Sequence, residues 1–227
     1  MPKKVAPLLR IFAWSYSRWQ DYNKCPLLAK LKHIDRLKEP PSAAGDRGGL
    51  IHNLAERHVV GAIKVLPKEL EPFSEEFKEL RSYKKVHCEQ DWAFTKDWKP
   101  TGWTDRDAWL RIKMDVAVHD KENDLAIVID YKTGRIYDDH EQQRSLYALG
   151  AFLTFPKIKK VIVKHWYIDL GEEKITEYLA EDLDKLKKEW TKRTLAMLTD
   201  SSFKPTPSPE SCKYCAFKAS KGGPCVY

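Results

Sequence analysis

The chain has no long apolar run. Nothing in its 227 residues approaches the roughly 18 uninterrupted apolar residues that span a bilayer. Its start, Met1-Pro-Lys-Lys-Val-Ala-Pro-Leu-Leu-Arg10, carries charge but no apolar core and no small-residue cleavage site. It reads as untargeted, and a cytoplasmic location in a bacterial, archaeal or phage-infected cell is expected. Internal repeats and low-complexity tracts are absent, which excludes solenoids and compositionally biased linkers. Cysteine is scarce, with five residues. In a cytoplasmic chain they argue against a disulfide framework, and their clustering points to metal instead.

What is present suits one sizeable core. Hydrophobic residues make up 42% of the chain. The formal charge of +7 favours polyanionic partners without proving them. Ser15 and Ser17 offer N-caps for a helix running through Lys32. Its Tyr16, Trp19 and Tyr22 recur at helical spacing, which suits a packed core better than base stacking. Residues 39–49 are rich in breakers and predict a loop. Helices are expected over Leu50–Lys64 and 73–85, with Pro67 and Pro72 between them. Val86–Phe94 is a strand candidate, and 95–107 reads as irregular turns. Strands at 108–119 and 124–132 predict a hairpin through Asp120-Lys-Glu-Asn123. A helix at 139–155, strands at 159–169 and 173–179, and a charged helix at 180–199 follow. The expected fold is mixed α/β: a central mixed sheet flanked by helices in one domain, 1–227, with the tail folded back.

Two strands hold the acidic groups. In Leu110–Val118, period two places Leu110, Ile112, Met114, Val116 and Val118 on one face, with Asp115 on the other beside Arg111 and Lys113. In Ile127–Gly134, Asp130 and Lys132 share a face. Aspartate and lysine two residues apart on a strand stay close without a loop. Magnesium takes one or two protein carboxylates in octahedral oxygen coordination, which Asp115 and Asp130 can supply, with the Tyr131 carbonyl as a third oxygen. Lys132 can hold the attacking water or offset phosphate charge. A surface hairpin with an Asp–Lys ion pair is the plainer reading. His52 follows the Gly48-Gly49 pair, with Glu56 one turn later on the same helix face. Gln143 and Tyr147, four apart on the next helix, can reach the same point. Alternatively Tyr147 is core and Gln143 solvated.

The tail carries Cys212-Lys-Tyr-Cys215 and then Cys225. Two thiolates in Cys-x-x-Cys bind one metal centre, and Cys25, followed by Pro26, is the candidate fourth ligand. Cys88 reads as a buried small hydrophobe. Spacing alone does not choose between iron–sulfur and zinc.

In order, Ser15–Pro26, Gly48-Gly-Leu-Ile-His52, Asp115, Asp130-Tyr-Lys132-Thr-Gly, Gln143-Arg-Ser-Leu-Tyr147 and the cysteine tail resemble the PD-(D/E)XK nuclease superfamily. The closer likeness is to its RecB/AddB nuclease-domain branch, with CRISPR-adaptation nucleases and phage exonucleases. The resemblance implies a restriction-endonuclease-like core over 48–179, with segments 15–32 and 200–227 joined by a metal cluster. It implies that His52, Asp115, Asp130 and the Tyr131 carbonyl bind Mg2+ or Mn2+. Lys132 would be catalytic with the two aspartates, and Gln143 and Tyr147 would bind substrate. Cys25, Cys212, Cys215 and Cys225 would hold a [4Fe–4S] cluster as a structural staple, with zinc as the alternative. Glu56 and Glu89 are further candidates; Glu89 stands where relatives carry an acid ahead of the aspartate strand. The implied activity is exonucleolytic cleavage of single-stranded DNA or free ends, in recombination, repair or phage DNA metabolism. A flap endonuclease or a non-cleaving DNA-binding module is the alternative. No helicase motif is present, so a helicase or recombination partner would be another chain. Two departures stand out: Ile112 where relatives have glycine, and a longer gap from Cys215 to Cys225.

Overall fold

The structure is a computed structural model that describes residues 10–227. Its helices are α1 (Tyr16–Lys24), α2 (Pro26–His33), α3 (Ala43–Val59), α4 (Ser74–Ser82), α5 (His140–Thr154), α6 (Leu183–Thr199) and α7 (Pro209–Lys213). Its strands are β1 (Val86–Phe94), β2 (Pro100–Thr101), β3 (Leu110–Asp120), β4 (Leu125–Lys132), β5 (Lys160–Tyr167) and β6 (Glu172–Leu179). The strands form one six-stranded sheet in the order β2-β1-β3-β4-β5-β6. β4 and β5 pair in parallel, and the other neighbours are antiparallel. The mixed sheet flanked by helices is the expected fold class. No helix among the described residues is long and apolar enough to cross a membrane.

The chain divides into two compact units: Pro41–Glu189, and the N-terminal stretch through Pro40 with Trp190–Tyr227. In the first unit, one core cluster joins Ile51 and Ala55 of α3 and Phe77 and Leu80 of α4 to Val116, Val118, Ile127, Ile129, Tyr131 and Trp166 of the sheet. The helix α5 is the crossover that parallel pairing of β4 and β5 requires. It is buried along Leu146–Phe152. In the second unit, Trp14 stacks on Trp190, and Tyr16 and Trp19 meet the same ring edge-on. Tyr16 and Trp19 are core, as their helical spacing suggested, whereas Tyr22 is half-buried and its hydroxyl donates to Asp200.

Three expectations need correction. The helix expected through Lys32 breaks at Cys25, which is extended at φ −168° and ψ 120°. Pro26 disfavours helical geometry in the residue before it, then starts α2 at its first position, where no N–H is needed. The loop expected over 39–49 is helical from Ala43. The Ser42 side chain accepts a hydrogen bond from Gly45 N and caps α3, which outweighs the low helix propensity of its glycines. The strict alternation expected along Leu110–Val118 is broken. Val116 and Val118 face the cluster of α3 and α4, whereas Ile112 lies beneath Gly150 of α5. The change falls where Glu89, at φ 48°, sits between the pairs Cys88–Val116 and Gln90–Met114. A left-handed residue inside a strand rotates the chain and ends period-two order.

Candidate active site

Asp115 and Asp130 lie on adjacent central strands, both buried. α3 delivers His52 to the first of them. His52 Nδ1 is 3.0 Å from Asp115 Oδ1, and Nε2 is 3.1 Å from the Tyr131 carbonyl oxygen. The other Asp115 oxygen accepts the Tyr131 backbone N–H at 2.8 Å. Burial opposes a charge on His52, but the hydrogen bond and negative charge of Asp115 raise its pKa above the ordinary value. Burial, with the nearby charge of Asp130, pushes the Asp115 carboxyl up.

Glu89 joins this pair. Ligand atoms of His52, Glu89 and Asp115 all lie within 4.8 Å of one another. An imidazole and two carboxylates form a nitrogen–oxygen donor set that suits a hard divalent cation such as Mg2+ or Mn2+. The left-handed backbone that breaks the strand order therefore belongs to a candidate ligand. Strained backbone of this kind concentrates at functional sites. Lys113 Nζ also contacts Glu89, at 2.9 Å. Glu56, the other acidic candidate, lies outside this set. Its charge acts on Cys88, whose thiol is pushed up to about 11 chiefly by burial.

Asp130 is held by a second system. Lys132 Nζ is 2.7 Å from Asp130 Oδ2 and donates to Gln143 Oε1 at 2.7 Å. Gln143 Nε2 donates to the Tyr147 hydroxyl at 3.0 Å, and that hydroxyl donates to Asp130 Oδ1 at 2.6 Å. Four side chains from β4 and α5 thus close a ring. Burial pushes the Asp130 carboxyl up, but the Lys132 charge and the hydrogen bonds outweigh it and hold the group at about 2. Gln143 is not simply solvated, and Tyr147 is both core and polar partner. Ring closure depends on helical geometry, because residues four apart share one face.

Ile112, the departure from the family pattern, is accommodated from the helix side. A Cβ on Gly150 would lie 2.7 Å from Ile112 Cδ1 and 2.9 Å from Trp92.

Sequence reasoning missed His165. Fully buried on β5, it is the register partner of Asp130, with Nε2 4.0 Å from Asp130 Oδ2. Burial drives its pKa down to about 3, so the ring is neutral. An isolated histidine 35 residues from Asp130 gave no signal; only parallel pairing makes them neighbours.

Four of the five cysteines gather in the terminal unit, and Cys88 lies on β1. Cys25, Cys212, Cys215 and Cys225 line one pocket with Leu28, Leu31 and Phe217. None of the five cysteines forms a disulfide. The long gap before Cys225 is taken up by a tight turn. Gly222 is left-handed at φ 74°, and a Cβ on Gly223 would stand 2.2 Å from the Phe217 carbonyl carbon. Cys225 N then donates to Phe217 O at 2.9 Å.

Comparison with known proteins follows the same lines. The family model for the PD-(D/E)XK nuclease superfamily matches residues 13–220. No curated protein sequence matches the chain. Among solved structures, the chain is similar to a candidate exonuclease from Eubacterium rectale, with 13% identity and a TM-score of 0.49, over 90% of this chain and 86% of that one. It is also similar to SSO0001, with 16% identity and a TM-score of 0.42, over 91% and 84%.

Proposed function

Because the chain belongs to the PD-(D/E)XK nuclease superfamily, we propose that it is a divalent-metal-dependent deoxyribonuclease acting as an exonuclease on single-stranded DNA or free ends. The order of its motifs, which resembles the RecB/AddB branch, supports the exonuclease reading. Recombination, repair or phage DNA metabolism is the setting that likeness suggests. The observation that carries the reading is the meeting of two charge systems on β3 and β4. The His52–Glu89–Asp115 set offers metal ligands, and the Asp130 ring holds a lysine beside them.

In this reading His52, Asp115, Asp130 and the Tyr131 carbonyl hold Mg2+ or Mn2+, with Glu89 as a further ligand. The bound ion would supply a lowered pKa for water and charge compensation for phosphate. The chain's own groups do the positioning. Gln143 takes one of the three N–H groups of the Lys132 ammonium, and Asp130 pairs with its charge. A remaining N–H is available to the attacking water or a phosphate oxygen. Tyr147 fixes the rotamer of Asp130, and Gln143 carries that constraint to the lysine. A module that had lost cleavage would have no need for a complete ring around Lys132, which favours an active enzyme.

The same proposal assigns Cys25, Cys212, Cys215 and Cys225 to a [4Fe–4S] cluster that staples the terminal unit. The apolar pocket they line suits a buried cluster. Among the described residues, no three cysteine sulfurs lie within 4.8 Å of one another. Tetrahedral zinc with Zn–S near 2.3 Å sets its sulfurs about 3.8 Å apart.

Digestion of 5′- and 3′-labelled single-stranded, duplex and flap DNA with Mg2+ or Mn2+ tests the activity. Asp130→Asn should abolish cleavage while the fold, read by circular dichroism, persists; equal activity in that variant sinks the assignment. Anaerobically purified protein should be brown, with broad absorbance near roughly 400 nm from thiolate-bound iron. Colourless protein with stoichiometric zinc contradicts the cluster.

A further inference from the structure

The loop between β4 and α5 begins one residue after Lys132, and residues 134–138 are all exposed. Within it Ile136 is 38% and Tyr137 58% exposed, large apolar surface that follows the candidate catalytic lysine within a few residues of chain. The loop is fixed at its start. Gly134 N donates to Asp169 Oδ2 at 3.0 Å, and Arg47 of α3 pairs with the same carboxylate. It is fixed at its end as well. The Tyr137 carbonyl accepts from His140 N, and the two rings meet edge-on at 5.4 Å. His140 is in turn held by the Tyr167 hydroxyl at 2.7 Å and stacks on that ring. Tyr137 therefore rests one side on a braced histidine and offers the rest of its ring to solvent.

A relay of side-chain contacts links this ring to the candidate site through His140 and His165. His140 senses the charges of both Lys132 and Asp130. Its ring is 5.8 Å from that of His165, which faces Asp130. The charges of the loop decide which part of a nucleic acid it receives. Arg135 is followed by Asp138 and Asp139, so the segment repels phosphate on balance. A nucleobase face has no such conflict, and stacking on an aromatic ring is tolerant of sequence.

We propose that Tyr137, flanked by Ile136, is a stacking platform for an unpaired base of single-stranded DNA next to the scissile phosphate. The inference rests on the nuclease reading above and deepens it. It assigns substrate-binding energy to a base rather than to the backbone, and it makes the site prefer a strand whose bases are free to splay out. Tyr137 binds substrate in this account and takes no part in the chemistry.

The test is fluorescence anisotropy of labelled oligothymidylate in EDTA, together with KM for its cleavage in Mg2+. Tyr137→Ala should weaken binding by about 5- to 150-fold, the affinity equivalent of roughly 1–3 kcal/mol per stacked base. KM should rise accordingly with kcat nearly unchanged, and Tyr137→Trp should retain affinity. An oligomer of abasic sugar–phosphate should lose a similar factor on the wild-type protein and lose nothing further on Tyr137→Ala. Affinity and KM within twofold of wild type in Tyr137→Ala overturn the inference. So does an abasic oligomer that Tyr137→Ala binds more weakly than wild type by the same factor as oligothymidylate, because the contact would then be to the backbone. Active cleavage with Tyr137→Ala indistinguishable leaves the nuclease reading standing and removes this one. A wild-type protein that neither binds nor cuts DNA removes both.

Discussion

Replacing Tyr147 with phenylalanine removes one oxygen atom and opens the ring around Asp130 in two places. The lost hydroxyl donates to Asp130 Oδ1 at 2.6 Å and accepts from Gln143 Nε2 at 3.0 Å. Both Tyr147 and Asp130 are buried, so water cannot take its place without opening the core. A hydrogen bond to a charged group contributes about 1.5–3 kcal/mol. For a chain of this size each kcal/mol shifts the melting temperature by about 2–4 °C. Tyr147→Phe should therefore melt about 3–12 °C lower at pH 7. The pH dependence has a definite sign. Asp130 is held at about 2, below an unfolded value near 3.9. Its ionisation stabilises the fold above about pH 4, and that contribution is lost as pH falls through about 2. Without the tyrosine hydroxyl the folded pKa rises toward the unfolded value, so less of this stability remains to be lost on acidification and the acid dependence becomes shallower. The assay is urea denaturation of four proteins: wild type, Tyr147→Phe, Asp130→Asn and the double variant. In the Asp130→Asn background the tyrosine should be worth only about 0.5–1.5 kcal/mol, the range for a neutral hydrogen bond. A loss below about 0.5 kcal/mol in the wild-type background, or equal losses in both backgrounds, would refute the charged ring.

Two further substitutions probe neighbouring features. Lys113→Met frees Glu89 from its ion pair; because Lys113 is largely exposed, the gain in Mn2+ affinity by calorimetry should be modest, about 1.5- to 5-fold, and should vanish in a Glu89→Gln background. Gly150→Ala forces a Cβ to within 2.7 Å of Ile112 and 2.9 Å of Trp92; overpacking of about 1–3 kcal/mol should exceed the roughly 1 kcal/mol gained in helix propensity, with Ile112→Val restoring part of the loss in a thermal melt.

The parts of the fold that were legible in the sequence are those written in local pattern. The β3–β4 hairpin, α5, and the pairing of Asp130 with Lys132 follow from period-two and period-3.6 spacing. The Gln143–Tyr147 face follows for the same reason. The missed parts depend on contacts remote in sequence or on single backbone angles. Nothing in the composition of β1 shows that Glu89 takes a positive φ, yet that angle ends the alternation along β3 and brings the residue to His52 and Asp115. The glycines of α3 read as a loop because their propensities argue for one; the Ser42 cap overrides them. His165 becomes visible only once β5 lies parallel to β4. The close approach of Gly150 to Ile112, 38 residues apart in sequence, is likewise visible only in the fold.

That parallel pairing also sets a timetable for biogenesis. β3 is already available when β4 leaves the ribosome, so one side of β4 can pair at once. Its other side pairs with β5, whose last paired residue, Tyr167, lies 35 residues beyond Lys132. At about 5–20 residues per second, the edge of β4 stays open for roughly 2–7 s. Ile127-Val-Ile129 lies along it, an apolar strand edge of the kind that recruits other chains. Asp130 and Lys132 close that run with two charges, in the manner of gatekeeper residues. During that interval the two side chains place charge at the end of the open apolar run.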